Sequence, residues 1–134
     1  MFIIIKHQNE EKGLPVVLEK ILKIIDDSFE ILVVNDGSTD NTALVAQKYP
    51  CRLINHHINQ GKGKAMKTGV QQARGENILF IDADDTYPVE TILEIAAALE
   101  NYDYAVASRS VGKQNHVAML FWNRSIRRFT ITWV

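Results

Sequence analysis

The chain has 134 residues and a formal net charge of −1, a length that suits one compact domain and a charge that gives no global pull toward nucleic acid. Hydrophobic residues make up 46% and charged residues 23%, the balance of a soluble globular protein with a core to bury. A single cysteine, Cys51, excludes an internal disulfide framework and suits a reducing compartment.

Met1 to Ile5 is a continuous apolar run, the pattern of a strand buried on both faces. It turns polar at Lys6 and lacks the basic start, longer apolar region and small-residue cleavage site of a signal peptide. Leu14, Val17, Leu18, Ile21, Leu22 and Ile25 recur at helical spacing. Glu30 to Val34 reads as a second buried strand, followed by Thr39 to Lys48 as a helix with Ser38 or Thr39 as its N-cap. Cys51 to Asn55 is a third strand, with Cys51 as a buried residue rather than a reactive thiol. Lys62 to Ala73 reads as a helix stopped by Gly75, and Asn77 to Ile81 as a fourth strand. Pro88 opens a helix that runs to about Leu99, and Tyr104 to Ala107 is a fifth strand. The tail from Val117 to Val134 is apolar with Arg124, Arg127 and Arg128 inside it. It suits a membrane surface rather than a span, since no stretch approaches the roughly 20 apolar residues of a spanning helix.

Repeated strand–helix–strand units predict an α/β fold: a mostly parallel sheet with helices on both faces, in one domain over residues 1–134. Ligands of such sheets gather at the carboxyl ends of the strands. The polar clusters fall there: Lys6 to Glu11, Asn35 to Asp40, His56 to Lys64, Asp82 to Thr86, and Ser108-Arg109.

The strongest motif is Ile78-Leu79-Phe80-Ile81-Asp82-Ala83-Asp84-Asp85-Thr86. Asp82 and Asp84, two apart, converge on one cation if the chain turns after the strand, and their hard oxygens suit Mg2+ or Mn2+ bridging to phosphates. The same residues also suit a solvated acidic turn, with Asp85 or Thr86 capping the next helix. In Asn35-Asp36-Gly37-Ser38-Thr39-Asp40, Asp36 is placed to accept hydrogen bonds from a base or ribose, and the following helix start favours anions; ordinary turn chemistry accounts for it equally. Asn59-Gln60-Gly61-Lys62-Gly63-Lys64 offers two glycines for close backbone approach and two lysines for a diphosphate, or a plain basic turn. It is not a P-loop, for the Gly-Lys-Ser/Thr ending is missing, nor the dinucleotide fingerprint, for Met66 stands at the third glycine position. His56 and His57 have no acidic or cysteine partner at ligand spacing and read as surface or strand-end residues. Ser108-Arg109 and Asn123-Arg124-Ser125 with Arg128 suit a phosphate clamp or a solvated helix face.

Together Asn9-Glu10-Glu11, Val33 to Asp40, Asn59-x-Gly61-Lys62-Gly63-x-Ala65, Asp82-Ala83-Asp84 and Ser108-Arg109 resemble family 2 glycosyltransferases of GT-A fold, and within them the polyprenyl-phosphate group typified by dolichol-phosphate mannosyltransferase. The resemblance runs from about Ile3 to Arg128. It implies a metal-dependent, inverting transfer of a sugar from a nucleotide-diphospho-sugar to a phosphate or hydroxyl acceptor, polyprenyl phosphate among them. Asn9, Glu10, Asp36, Gly61, Lys64 and Asp82 would bind the donor. Asp82 and Asp84, with Thr86 where relatives often carry glutamine, would hold Mg2+ or Mn2+. Arg109, Arg124 and Ser125 would hold the acceptor phosphate. The resemblance also implies a cytoplasmic place, with the inner face of the membrane as a peripheral site.

Two departures stand out. Lys6 and Gln8 occupy positions where the family carries Pro-x-Tyr, so an aromatic stack on the base is lost. The chain also ends soon after its second arginine cluster, which implies a domain incomplete on its acceptor side, with Phe129 to Val134 exposed as a surface for self-association or a partner chain. Two rival readings follow: a non-catalytic, nucleotide-sugar-binding or partner-dependent member of that family, and a haloacid-dehalogenase-type phosphatase with Asp82 as nucleophile. Against the second, Lys113 lacks the adjacent acidic pair such enzymes need, and the Asn35 to Ser38 loop is left without a role.

Overall fold

A computed structural model of the chain describes residues 1–74, 77–85, 88–102, 104–107, 117–119 and 129–131. The apolar run at the start of the chain forms β1 (Phe2–His7), which pairs in parallel with β2 (Glu30–Asp36) on one side and β4 (Ile78–Asp82) on the other. In register, Ile5 lies between Val33 and Ile81. β3 (Arg52–His56) extends the sheet beyond β2 in parallel. On the far side lie β5 (Tyr104–Ala107), β6 (Val117–Met119) and β7 (Phe129–Ile131), in the overall order β3-β2-β1-β4-β7-β5-β6, with β6 antiparallel to β5.

The unbroken hydrophobicity of β1 follows from cover on both faces, because alternate side chains serve opposite layers. Ile3 and Ile5 pack with Ile31, Val33, Leu79 and Ile81 under α1 (Gly13–Leu22), α2 (Thr42–Ala46) and α4 (Thr91–Ala98). Phe2 and Ile4 pack with Leu32, Val34, Ile78 and Phe80 under α3 (Lys62–Gln72). Ile3, Ile4 and Ile5 are each fully buried, worth about 1.5–3 kcal/mol apiece. The parallel sheet with helices on both faces is as the sequence predicts. Among the described residues no helix is long and apolar enough to cross a membrane.

The differences have local causes. α1 closes at Leu22, and the amides of Ile24 and Ile25 turn back onto the Ile21 carbonyl. α2 begins at Thr42 and not at Thr39, because the Asn9 side chain takes the Thr39 amide and the Asp40 carboxylate takes the Thr42 amide. Ser38 and Thr39 are therefore not its N-cap. A turn at Pro88 to Glu90 precedes α4, with the Thr91 amide and hydroxyl both on the Pro88 carbonyl. α3 ends where Ala73 becomes extended; Gly75, the expected stop, lies outside the described residues. Cys51 lies just ahead of β3 and is half-buried, which pushes its thiol up; its sulfur donates to the Ala46 carbonyl. Phe129–Ile131, expected only as part of an apolar tail, forms a parallel strand between β4 and β5.

Two positions in these layers carry testable costs. A Cβ added at Gly69 would stand 2.6 Å from Cγ2 of fully buried Ile4, whereas one at Gly63, also helical, meets nothing within 4 Å. Helix propensity favours alanine at both by up to about 1 kcal/mol, but overpacking a filled core costs about 1–3 kcal/mol. Gly69→Ala is expected to lower, and Gly63→Ala to raise, the urea midpoint of unfolding.

His7 follows Ile3 and Ile5 on the alternation of β1 and is 1% exposed, and neither ring nitrogen meets a hydrogen-bond partner among the described residues. Burial lowers its pKa to about 4; the Asp40 and Asp36 carboxylates oppose this and Lys6 reinforces it. The folded state therefore holds His7 neutral, while the unfolded chain takes up a proton near pH 6.5. Its share of stability is intact above that pH and is lost as pH falls toward about 4, in total roughly 3 kcal/mol. Urea titrations at about pH 7 and pH 5 should differ by about 2 kcal/mol more in the parent than in His7→Leu; equal pH dependence in the two proteins would refute the assignment.

Candidate functional site

The strands of the parallel core all end at one edge, and the polar residues of four of them meet there. β2 delivers Asp36, which is 4% exposed. Its register partner on β3 is His56, whose Nδ1 lies 2.7 Å from Asp36 Oδ1. The other ring nitrogen lies 3.0 Å from the Thr68 hydroxyl of α3. The same Asp36 oxygen accepts the Gln60 amide at 2.9 Å. Burial alone would raise the Asp36 carboxyl, but the Gln60 amide, His56 and the Gly61 amide hold it below the usual carboxylate range. His56 thus ends a strand, as expected, but its side chain is buried against an acidic partner rather than lacking one. No local signal in the sequence marks this pairing: it is the register of β2 against β3, which end at the same level, that sets Asp36 beside His56. Beside them Asn35 donates to Asn55 at 2.8 Å and accepts the Ser38 amide at 3.1 Å.

β4 delivers Asp82, the register partner of Lys6 on β1. Lys62 Nζ, from the first turn of α3, donates to Asp82 Oδ2 at 3.0 Å, and Lys6 Nζ lies 3.7 Å from Oδ1. Lys6 is therefore not merely a missing proline; it puts positive charge beside the Asp82 carboxylate. Asp84 follows two residues on. Asp85 does not cap α4: in a left-handed conformation, it accepts both its hydrogen bonds from Lys20 of α1, at 2.6 and 2.8 Å. Gly13 fits α1 against this turn, since a Cβ there would stand 2.4 Å from the Ala83 carbonyl oxygen.

The loops after β1 and β2 are cross-tied. The Asn9 amide donates to Ser38 Oγ at 2.9 Å, while Asn9 Oδ1 accepts the Thr39 amide at 2.9 Å. The Glu10 amide donates to the Thr42 hydroxyl, the Glu11 amide to Asp40, and the Asn41 amide to the Glu11 carboxylate. Partial burial, then the charges of Asp84, Asp40 and Asp82, push the Glu10 carboxyl above its usual range, with Lys6 opposing.

Among the described residues, no three acidic, histidine or cysteine side chains converge on a metal position. The chemistry of the donors nonetheless fits a hard divalent ion, since Mg2+ commonly takes one or two carboxylates and completes its shell with substrate phosphates and water. Gly61 caps the start of α3 and Lys64 lies on its first turn, both exposed. Thr86, Arg109, Arg124 and Ser125 lie outside the described residues, so the acceptor clamp is not part of this geometry.

Residues 2–132 match the family model described as glycosyl transferase family 2. Dolichyl-phosphate beta-glucosyltransferase of Mus musculus is 38% identical over 97 residues, 61% of this chain and 30% of that protein. The chain therefore spans about a third of the length of this curated relative. The crystal structure of S. aureus TarS 1-349 in complex with UDP aligns at a TM-score of 0.67 and 25% identity, over 86% of this chain and 37% of that one. The mannosyltransferase PcManGT of Pyrobaculum calidifontis, in complex with GDP-Man and Mn2+, shares the fold at a TM-score of 0.71 and 24% identity, over 80% of this chain and 34% of that one. A family match over nearly every residue leaves the phosphatase reading of Asp82 without support. The carboxyl-edge cluster of Asp36, Lys62 and Asp82 thus lies in a chain that belongs to glycosyl transferase family 2 and has the GT-A fold.

Proposed function

We propose that residues 1–134 form a single donor-binding unit of a metal-dependent, inverting glycosyltransferase that moves a sugar from a nucleotide-diphospho-sugar to a phosphate or hydroxyl acceptor, polyprenyl phosphate in the first place. The observation that carries this is the Asp82-Ala83-Asp84 turn at the end of β4, with Lys62 and Lys6 against Asp82, in a chain of this family. The dolichyl-phosphate relative and the UDP-bound neighbour support the acceptor and donor classes.

Each side chain has a part in this reading. Asn9, Glu10 and Asp36 would face the nucleoside, and Gly61, Lys62 and Lys64 the diphosphate, by close backbone approach and by charge. Asp82 and Asp84, with Thr86 beside them, would hold Mg2+ or Mn2+. When bound, the cation supplies Lewis-acid neutralisation of the leaving diphosphate. The acceptor oxygen bonds to the anomeric carbon as the bond to the diphosphate oxygen breaks, and the nucleoside diphosphate departs with the electron pair. A phosphate acceptor is already ionised, so this step needs no general base from the chain. Arg109, Arg124 and Ser125 would hold that acceptor at the inner face of a membrane.

Calorimetric titration of UDP and GDP, first with Mn2+ and then with EDTA, tests this. Binding should require the metal, and Asp82→Asn with Asp84→Asn should weaken it at least about tenfold, since one lost charge-assisted contact is worth about 1.5–3 kcal/mol, while the circular dichroism stays that of the parent. Unchanged affinity in the double variant removes the metal assignment. Metal-dependent binding without sugar transfer would support the non-catalytic reading.

A further inference from the structure

His56 has no part in the reading above, yet both of its ring nitrogens are engaged and its side chain is only 8% exposed. With its proton on Nδ1 the ring donates to Asp36 and accepts from the Thr68 hydroxyl, so the two partners favour that tautomer and fix the ring plane. The contact joins three elements: β2 through Asp36, β3 through His56 and α3 through Thr68. Asp36 Oδ1, the oxygen facing the ring at 2.7 Å, is also the acceptor of the Gln60 amide at 2.9 Å. The chain then turns at Gly61, with φ of 85°, into α3. Two residues after Gln60, the Lys62 ammonium reaches Asp82 Oδ2 at 3.0 Å. A continuous line of hydrogen bonds thus runs from the Thr68 hydroxyl to the start of the glycine–lysine loop.

We propose that His56 is a positioning residue: acting through Asp36, it holds the Gln60–Gly61 turn in place and so fixes where the Lys62 ammonium meets the diphosphate of the donor. The physical reason lies in the burial of the pair, whose side chains are 8% and 5% exposed. A buried carboxylate deprived of a donor must find another or move, and the group that moves with it is the Gln60 amide. The inference rests on the nucleotide-donor reading, and its test separates the two.

The test uses the full chain labelled with 15N, with UDP and GDP plus Mn2+ as ligands, and the variants His56→Phe, His56→Gln and Thr68→Val. His56→Phe keeps a ring of similar bulk without a donor. It should weaken nucleotide binding about tenfold and speed amide exchange at Gln60 while the β1 amides keep their protection. His56→Gln, whose amide can still donate to Asp36, should recover most of both. Thr68→Val should shift the His56 ring nitrogen signals away from the single-tautomer pattern and accelerate Gln60 exchange in smaller measure. His56→Phe binding as the parent does, or a uniform loss of protection across the sheet, overturns the proposal. If His56→Phe fails to fold, Thr68→Val decides: unchanged ring signals with unchanged Gln60 exchange overturn it. A parent chain that binds neither nucleotide defeats the donor reading, while the Gln60 exchange rates still report whether His56 holds the turn.

Discussion

Everything at the functional edge depends on β1 being paired on both sides. With β2 and β4 as parallel neighbours and helices over both faces, Phe2 to Ile5 have no exposed face on which to carry chemistry. Polar groups are excluded from the body of the strand by the cost of burying them unpaired. They collect where the strands run out, at Lys6, Asp36, His56 and Asp82. Because the strands are parallel and in register, these ends lie at one level, and residues far apart in sequence become neighbours. His7 is the exception that marks the boundary: it still points into the layer, and its ring stays neutral there.

The edge balances two opposed sets of charge. Glu10, Asp40, Asp82 and Asp84 would repel one another, and the Glu10 carboxyl is raised first by burial and then by its acidic neighbours. Lys6 and Lys62 relieve the repulsion at Asp82, while Lys20 relieves it at Asp85. Lys62 is well exposed and sits on the first turn of α3, so its ammonium can leave Asp82 at small cost in burial.

How much of this was legible in the sequence depended on whether the information was local. The strands announced themselves through unbroken apolar runs such as Ile3 to Ile5 and Leu79 to Ile81, and Asp82 and Asp36 were legible as strand-terminal carboxylates. Register was not. Lys6 was read as an absence, the loss of a family proline, when its place opposite Asp82 gives it a partner. His56 was read as lacking an acidic neighbour because Asp36 lies 20 positions away. The start of α2 was misjudged by three residues because Ser38 and Thr39, good capping residues in isolation, are claimed by Asn9 from another loop. The strand Phe129–Ile131 was missed since it enters the sheet between β4 and β5, out of chain order, and the tail's arginines suggested a surface instead.

The cross-ties between the loops after β1 and β2 have a consequence for how such a chain can diverge. Asn9 with Ser38 and Thr39, Glu10 with Thr42, and Glu11 with Asp40 and Asn41 bond amide to side chain in both directions. Neither loop can lengthen, shorten or shift by a residue without orphaning donors on the other. The two segments are therefore a single heritable module. A graft intended to change ligand preference has to carry both stretches, roughly Gln8 to Lys12 and Gly37 to Thr42, from the same parent, and a chimera that joins loops from different parents at this edge inherits mismatched hydrogen bonds.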